Sequence, residues 1–170
     1  MPSALNIDEC ESQFTEIKLS QPLQLLADWV QEAKDLGLAE PDAMNLATVD
    51  GDGNPHNRMV LMRHINEQEI GFFTNLESNK AADIFATQRT SSTLWWPQLG
   101  RQVRIEGTAA EMPRDMVEEY YQSRPRNSKI AAWASKQSTE LASMDRLHQE
   151  FRQYEEKFSD KTVPNPTFWG

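Results

Sequence analysis

The run Asp50-Gly51-Asp52-Gly53-Asn54-Pro55 constrains this chain more than any other stretch. Glycine admits positive φ, Asp and Asn hydrogen-bond to their own backbone, and proline presets φ, so the run is a turn for three separate physical reasons. The flanking stretches Met44 to Asp50 and His56 to His64 carry alternating or β-branched character. Together they predict a β-hairpin.

Further strands follow around Ile70 to Thr74, Ser92 to Trp96 and Arg101 to Glu111; in the last, Val103, Ile105 and Gly107 alternate with Gln102, Arg104 and Glu106. Before the hairpin, Leu23, Leu26, Trp29, Val30 and Ala33 recur at helical spacing, with Ser20 placed to cap the start and Gly37 to end the helix. A short helix capped by Ser78 runs through Ala81, Ala82, Ile84 and Phe85. Helices are also expected over Arg114 to Tyr121, over Ser128 to Ala134, and from Thr139 through Met144, Leu147, Phe151, Tyr154 and Phe158. Strands first and helices later argue an α+β fold. About five mostly antiparallel strands with few helices cannot cover both faces of an open sheet, so curling into a β-barrel with peripheral helices is expected. The apolar surface left over invites a partner chain.

A chain of 170 residues buries a core without disulfide or metal staples. Residues 1–20 lack a hydrophobic period and are expected to form an arm, with residues 21–170 as a single domain. A net charge of -9 repels nucleic-acid backbones and anionic membranes alike, so neither is an expected partner. Cys10 is the only cysteine, which excludes an internal disulfide; with no leader-like segment, a cytoplasmic address is expected. His56, His64 and His148 show no ligand spacing, so no metal site is expected. Neither a Gly-rich phosphate loop nor a Ser/His/Asp order is present. Trp95 and Trp96 read as core or interface residues.

Any anion site must then be local. Arg58, Arg63 and His64 interrupt an apolar strand, and Arg58 and Arg63, five apart, would point to opposite faces. They read either as snorkelling surface arginines or as a phosphate grip. Lys80 lies in the first turn of the helix capped by Ser78, where free backbone amides favour an anion; a solvated lysine is the other reading. The segment Ser123-Arg124-Pro125-Arg126-Asn127-Ser128, with Tyr120 one turn before, reads as a phosphomonoester site or as an exposed loop.

In order along the chain stand Ala-Thr-Val-Asp, Arg-Met-Val-Leu-Met-Arg-His, Phe-Phe-Thr-Asn-Leu-Glu-Ser-Asn-Lys-Ala, Arg-Gln-Val, Ser-Arg-Pro-Arg-Asn-Ser, Ala-Trp-Ala-Ser-Lys-Gln-Ser and Pro-Thr-Phe-Trp-Gly, spanning Met44 to Gly170. This text resembles the pyridoxamine 5′-phosphate oxidase family. The resemblance implies a split β-barrel working as a homodimer that holds flavin mononucleotide (FMN) between subunits, with flavin contacts at Arg58, Met59, Val60, Leu61, Met62, Arg63, Phe73, Thr74, Lys80, Gln102, Gln137 and Ser138. Arg58 and Lys80 would hold the flavin phosphate and Gln102 would address the ring. Arg63, Tyr120, Arg124 and Ser128 would meet the phosphate of a B6 vitamer, pyridoxamine or pyridoxine 5′-phosphate, which hydride transfer and reoxidation by O2 would convert to pyridoxal 5′-phosphate and H2O2. No acid or base is assigned.

Departures from the family pattern are Arg63 in place of lysine, Asn79 in place of a basic residue, and no basic motif between Ile7 and Ile17. Beyond Gly170, relatives continue into a strand region with a flavin-contacting tryptophan and an arginine and histidine framing the substrate. The resemblance therefore leaves open a shortened form, a same-fold oxidoreductase with another substrate, as in phenazine-pathway relatives, or a non-catalytic flavin- or pyridoxal-phosphate-binding protein.

Overall fold

A computed structural model describes residues 21–170; the expected arm, Ser20 and Cys10 lie outside the described residues. Helix α1 (Pro22–Asp35) starts with proline in its first turn, where a missing amide costs nothing. It ends in a Schellman motif: Gly37, at φ 67°, donates to the Lys34 carbonyl at 2.9 Å, and Leu38 donates to that of Ala33 at 3.0 Å.

The hairpin forms as expected from strands β1 (Ala43–Val49) and β2 (Pro55–Leu61), paired antiparallel from Ala43 opposite Leu61 to Val49 opposite Pro55. Asp50 organises the turn by accepting from the amides of Asp52 and Asn54. Strands β5 (Arg89–Trp96) and β6 (Arg101–Thr108) complete a four-stranded antiparallel sheet in the order β2-β1-β5-β6. Between β2 and β5 in the chain, β3 (His64–Ile65) and β4 (Ile70–Gly71) make a separate two-stranded sheet.

The strand expected over His56 to His64 therefore divides. Met62 donates to the Asp42 carbonyl at 2.8 Å, continuing the first sheet, while Arg63 donates to the Gly71 carbonyl at 2.8 Å and begins the second. The expected strand at Ile70 to Thr74 is likewise short, because Thr74 leaves β4 to pair with Gly170, and Asn75 bridges Trp169. No closed barrel forms among the described residues. An apolar cleft of about 560 Å³, lined among others by Met44, Leu46, Phe72, Ile84, Ile105 and Met112, stays open beside the inner sheet face.

Strand alternation sets the two sheet faces. Inward, Met44, Leu46, Leu94 and Trp96 are buried, and Leu26, Val30 and Ala33 of α1 pack on this side of the sheet. Outward, no described element covers Asn45, Met59, Trp95 and Gln102; Met59 is 62% and Trp95 56% exposed. Helix α2 (Asn79–Thr87) packs against β1.

Helices α3 (Arg114–Ser123), α4 (Arg126–Ala134) and α5 (Met144–Lys157) follow. Helix α5 begins at Met144 rather than at Thr139, because the Ser143 hydroxyl caps it by accepting from the Arg146 amide at 3.1 Å.

Candidate functional site

Lys80 organises one cluster. Its side chain is 8% exposed, and its ammonium donates to Gln137 Oε1 at 2.7 Å, Thr74 Oγ1 at 3.0 Å and Ser78 Oγ at 3.1 Å. All three partners are neutral oxygens, and no carboxylate pairs with this ammonium among the described residues. Burial, and then the nearby positive charge of Arg58, push the Lys80 pKa below its ordinary value of 10.5. Buried cations are normally paired. A buried ammonium with neutral partners, at the amino end of a helix, has the chemistry of an anion-binding site.

Ser78 occupies the cap position of α2 but makes no side-chain cap bond; its oxygen accepts from Lys80 instead. The amide of Asn79 donates to Ser138 Oγ at 3.2 Å, and Ser138 takes a left-handed φ of 66°. Gln137 and Ser138, from the loop after α4, thus close over the start of α2. Arg58 reaches the same region from the inner face of β2, donating to Thr48 Oγ1 at 2.6 Å, with Asp83 at 3.5 Å.

A second cluster is aromatic. Phe73 stacks on Tyr120 with ring centres 4.0 Å apart and planes at 7°, and on Trp169 at 5.3 Å and 2°. Trp169 also meets Tyr121 edge-on at 5.0 Å. Over this slab lies Arg124, its guanidinium carbon 4.6 Å from the centre of the Trp169 ring. Arg124 Nη1 is buried without a hydrogen-bond partner, and burial lowers the arginine's pKa. An arginine still stays charged at ordinary pH, so Nη1 is a charged donor that faces no acceptor among the described residues. Burial pushes the neighbouring Tyr121 phenol up to about 12, so it remains neutral and donates to the Lys129 carbonyl.

Phe73 and Tyr120 also line a cleft of about 280 Å³ with Arg63, His64, Glu119 and Ser123. Arg63 lies past the end of β2 and forms an ion pair with Asp42, itself 6% exposed. Arg63 and Arg58 are therefore parted by the break in the strand rather than by simple alternation. The Ser123-to-Ser128 segment does not act as one basic site. Arg124 faces the slab, whereas Arg126 turns to the carbonyls of Phe158 and Lys161 and satisfies the carboxyl end of α5. Ser128 is half-buried in the first turn of α4.

The remaining expected contacts divide by face. Val60 and Met62 pack with the core cluster, Met59 and Leu61 face outward, and Gln102 stands exposed beside Trp95 on the outer face of β6. Sequence reasoning missed Thr48, Asp83, Asp42 and Trp169. A charged residue at 83, between buried Ala81 and Ile84, was a legible signal of a buried polar role.

The family profile described as pyridoxamine 5′-phosphate oxidase matches residues 30–158. The chain belongs to the pyridoxamine 5′-phosphate oxidase family. Among relatives in this family, a pyridoxine/pyridoxamine 5′-phosphate oxidase of Brucella anthropi is 42% identical over 156 residues, covering 92% of this chain and 76% of its own. One of Leptospira biflexa is 40% identical over 149 residues, covering 88% and 70%. Among solved structures, PhzG from Burkholderia lata 383, in complex with tetrahydrophenazine-1-carboxylic acid, superposes with a TM-score of 0.84 at 25% identity, covering 90% of this chain and 75% of its own. An FMN-binding protein of Nostoc punctiforme related to pyridoxamine 5′-phosphate oxidase shares the fold, with a TM-score of 0.60 at 18% identity over 74% of this chain and 69% of its own. The α+β fold is thus that of the family's split-barrel proteins. Among the described residues no helix is long and apolar enough to cross a membrane.

Proposed function

We propose that this chain binds FMN and oxidises pyridoxamine or pyridoxine 5′-phosphate to pyridoxal 5′-phosphate, with O2 as acceptor and H2O2 as product. The observation that carries the cofactor assignment is the Lys80 ammonium, buried against neutral oxygens at the start of α2. A phosphate monoester would balance this charge, and the positive charge of Arg58 bears on the same ammonium. Thr74, Gln137 and Ser138 complete the cradle. The residues fit the phosphate end of FMN, whose ring, once bound, supplies hydride acceptance and reaction with O2. This chain's own part is anchoring and alignment.

The substrate phosphate belongs at the second cluster, on the open donor of Arg124 with Tyr120, Arg63 and Ser128. Arg124→Ala should raise KM for a phosphorylated substrate roughly tenfold or more, the loss of a charge-assisted hydrogen bond, while sparing FMN affinity. Steady-state kinetics beside a flavin titration check this; an unchanged KM would remove Arg124 from the substrate site.

Gln102 lies on the sheet face opposite to Arg58, so one subunit does not present both to a single flavin. The reading is therefore a homodimer in which Gln102 of a second copy completes the site, seated over the exposed outer-face residues Met59 and Trp95. Mixed dimers of Lys80→Ala and Gln102→Ala subunits should hold one intact flavin site, although each variant alone holds none at the same flavin concentration. Flavin stoichiometry of a doubly tagged preparation reads this directly.

The ion pair between Arg63 and Asp42 favours a second reading. Its charge is already balanced, so the cleft suits a less anionic substrate than a family lysine would, in a same-fold oxidoreductase. A visible absorption spectrum of the purified protein tests the cofactor, and peroxide release with each B6 phosphate tests the substrate. Bound flavin without turnover of either vitamer would favour the second reading.

A further inference from the structure

Helix α2 carries a second charged residue on its buried face. Lys80 and Asp83, three apart, share that face and are 8% and 6% exposed. Asp83 Oδ2 accepts from the Thr48 hydroxyl at 2.6 Å and lies 3.5 Å from Arg58 Nη2. The Thr48 oxygen in turn accepts from Arg58 Nη1 at 2.6 Å, and the Leu46 carbonyl accepts from the same nitrogen at 3.4 Å. Thr48 is 1% exposed, so its hydroxyl has these partners in place of water.

A guanidinium is a planar fork of five donors. Here a hydroxyl and a carbonyl take Nη1 and a carboxylate faces Nη2, while Nε makes no hydrogen bond among the described residues. Two cations as close as Arg58 and Lys80 repel each other, and Asp83 offsets that repulsion without touching the Lys80 ammonium. One short helix thus supplies both the cation of the anion site and the carboxylate that orients the second cation.

We propose that Asp83 and Thr48 are positioning residues: together they hold the Arg58 guanidinium so that its free donors converge with Lys80 on the FMN phosphate, and they thereby set the preference of the site for FMN over riboflavin. This rests on the FMN reading above. The opposing possibility is that Asp83 sequesters Arg58 and withdraws it from the ligand. The two differ in sign.

The test is the ratio of FMN to riboflavin affinity, measured by fluorescence titration of the flavin-stripped protein, because riboflavin lacks only the phosphate. Asp83→Asn and Thr48→Val should each lower that ratio about tenfold, the value of one charge-assisted hydrogen bond, with riboflavin affinity held. Thr48→Ser, which keeps the hydroxyl, should retain the wild-type ratio. In an Arg58→Ala background neither Asp83→Asn nor Thr48→Val should lower the ratio further, which a merely structural role would not produce. An unchanged or raised ratio in Asp83→Asn overturns the proposal. If that variant does not fold, Thr48→Val against Thr48→Ser decides alone, and equal ratios overturn it. A wild-type protein with no preference for FMN would instead overturn the phosphate-site reading itself.

Discussion

Replacing Lys80 with alanine should weaken FMN binding roughly thirty- to hundredfold, about 2–3 kcal/mol, while leaving riboflavin binding nearly unchanged. The size follows from burial. An exposed lysine contributes little to anion binding because water screens it, whereas this ammonium is desolvated and held by three oxygens. Its loss removes a charge and also frees Thr74 and Gln137 from their common donor. The same site predicts a pH dependence. On the proposed reading FMN binding needs Lys80 protonated, and its pKa is held below 10.5 by burial and by Arg58. Preference for FMN over riboflavin should therefore decline with rising pH at a lower pH than an exposed lysine would give. Flavin titrations of wild type and Lys80→Ala across the alkaline range check both points; equal FMN affinities for the two proteins would remove the phosphate from this cluster.

Trp169→Ala should be strongly destabilising, costing about 3–5 kcal/mol as other buried Trp truncations do, and lowering Tm by roughly 10 °C for a chain of this size. Trp169 is 7% exposed and touches Phe73, Tyr120 and Tyr121 at once. It is also the surface on which Arg124 lies, so truncation removes a cation–π partner from a guanidinium that already has an unsatisfied buried nitrogen. The backbone stays tethered, since Arg114 donates to the Trp169 and Pro166 carbonyls. The expected result is a loosened aromatic slab on an intact sheet: thermal denaturation shows the loss, and far-ultraviolet circular dichroism at low temperature is preserved. A shift of only a degree or two would mean that the slab is not part of the cooperative core.

Local chemistry wrote much of this fold legibly. The turn at Asp50 to Pro55 and the stop at Gly37 follow from residues with few alternative conformations, and both form as the sequence implies. The start of α5 is equally readable in Ser143, a cap residue followed by Asp145 in the first turn. The division of the second hairpin strand was not, because alternation along one strand carries no mark of which neighbour it pairs with. The break at Met62 and Arg63 depends on Asp42 and Gly71, which are distant in sequence. Of the site, the cations were visible as residue types. Their fates were not: Arg58 and Arg63 both have carboxylate partners, and Lys80 does not, through contacts that only folding brings together. Arg126 shows the same limit, its guanidinium serving a helix end thirty-odd positions away in sequence.

Phe73 and Thr74 are neighbours in the chain, one in the aromatic slab and the other in the lysine cradle. One peptide plane, about 3.8 Å from Cα to Cα, therefore ties the two proposed ligand stations to each other. On the proposed reading, the mutual alignment of cofactor and substrate then rests in part on covalent geometry, settled when the polypeptide folds.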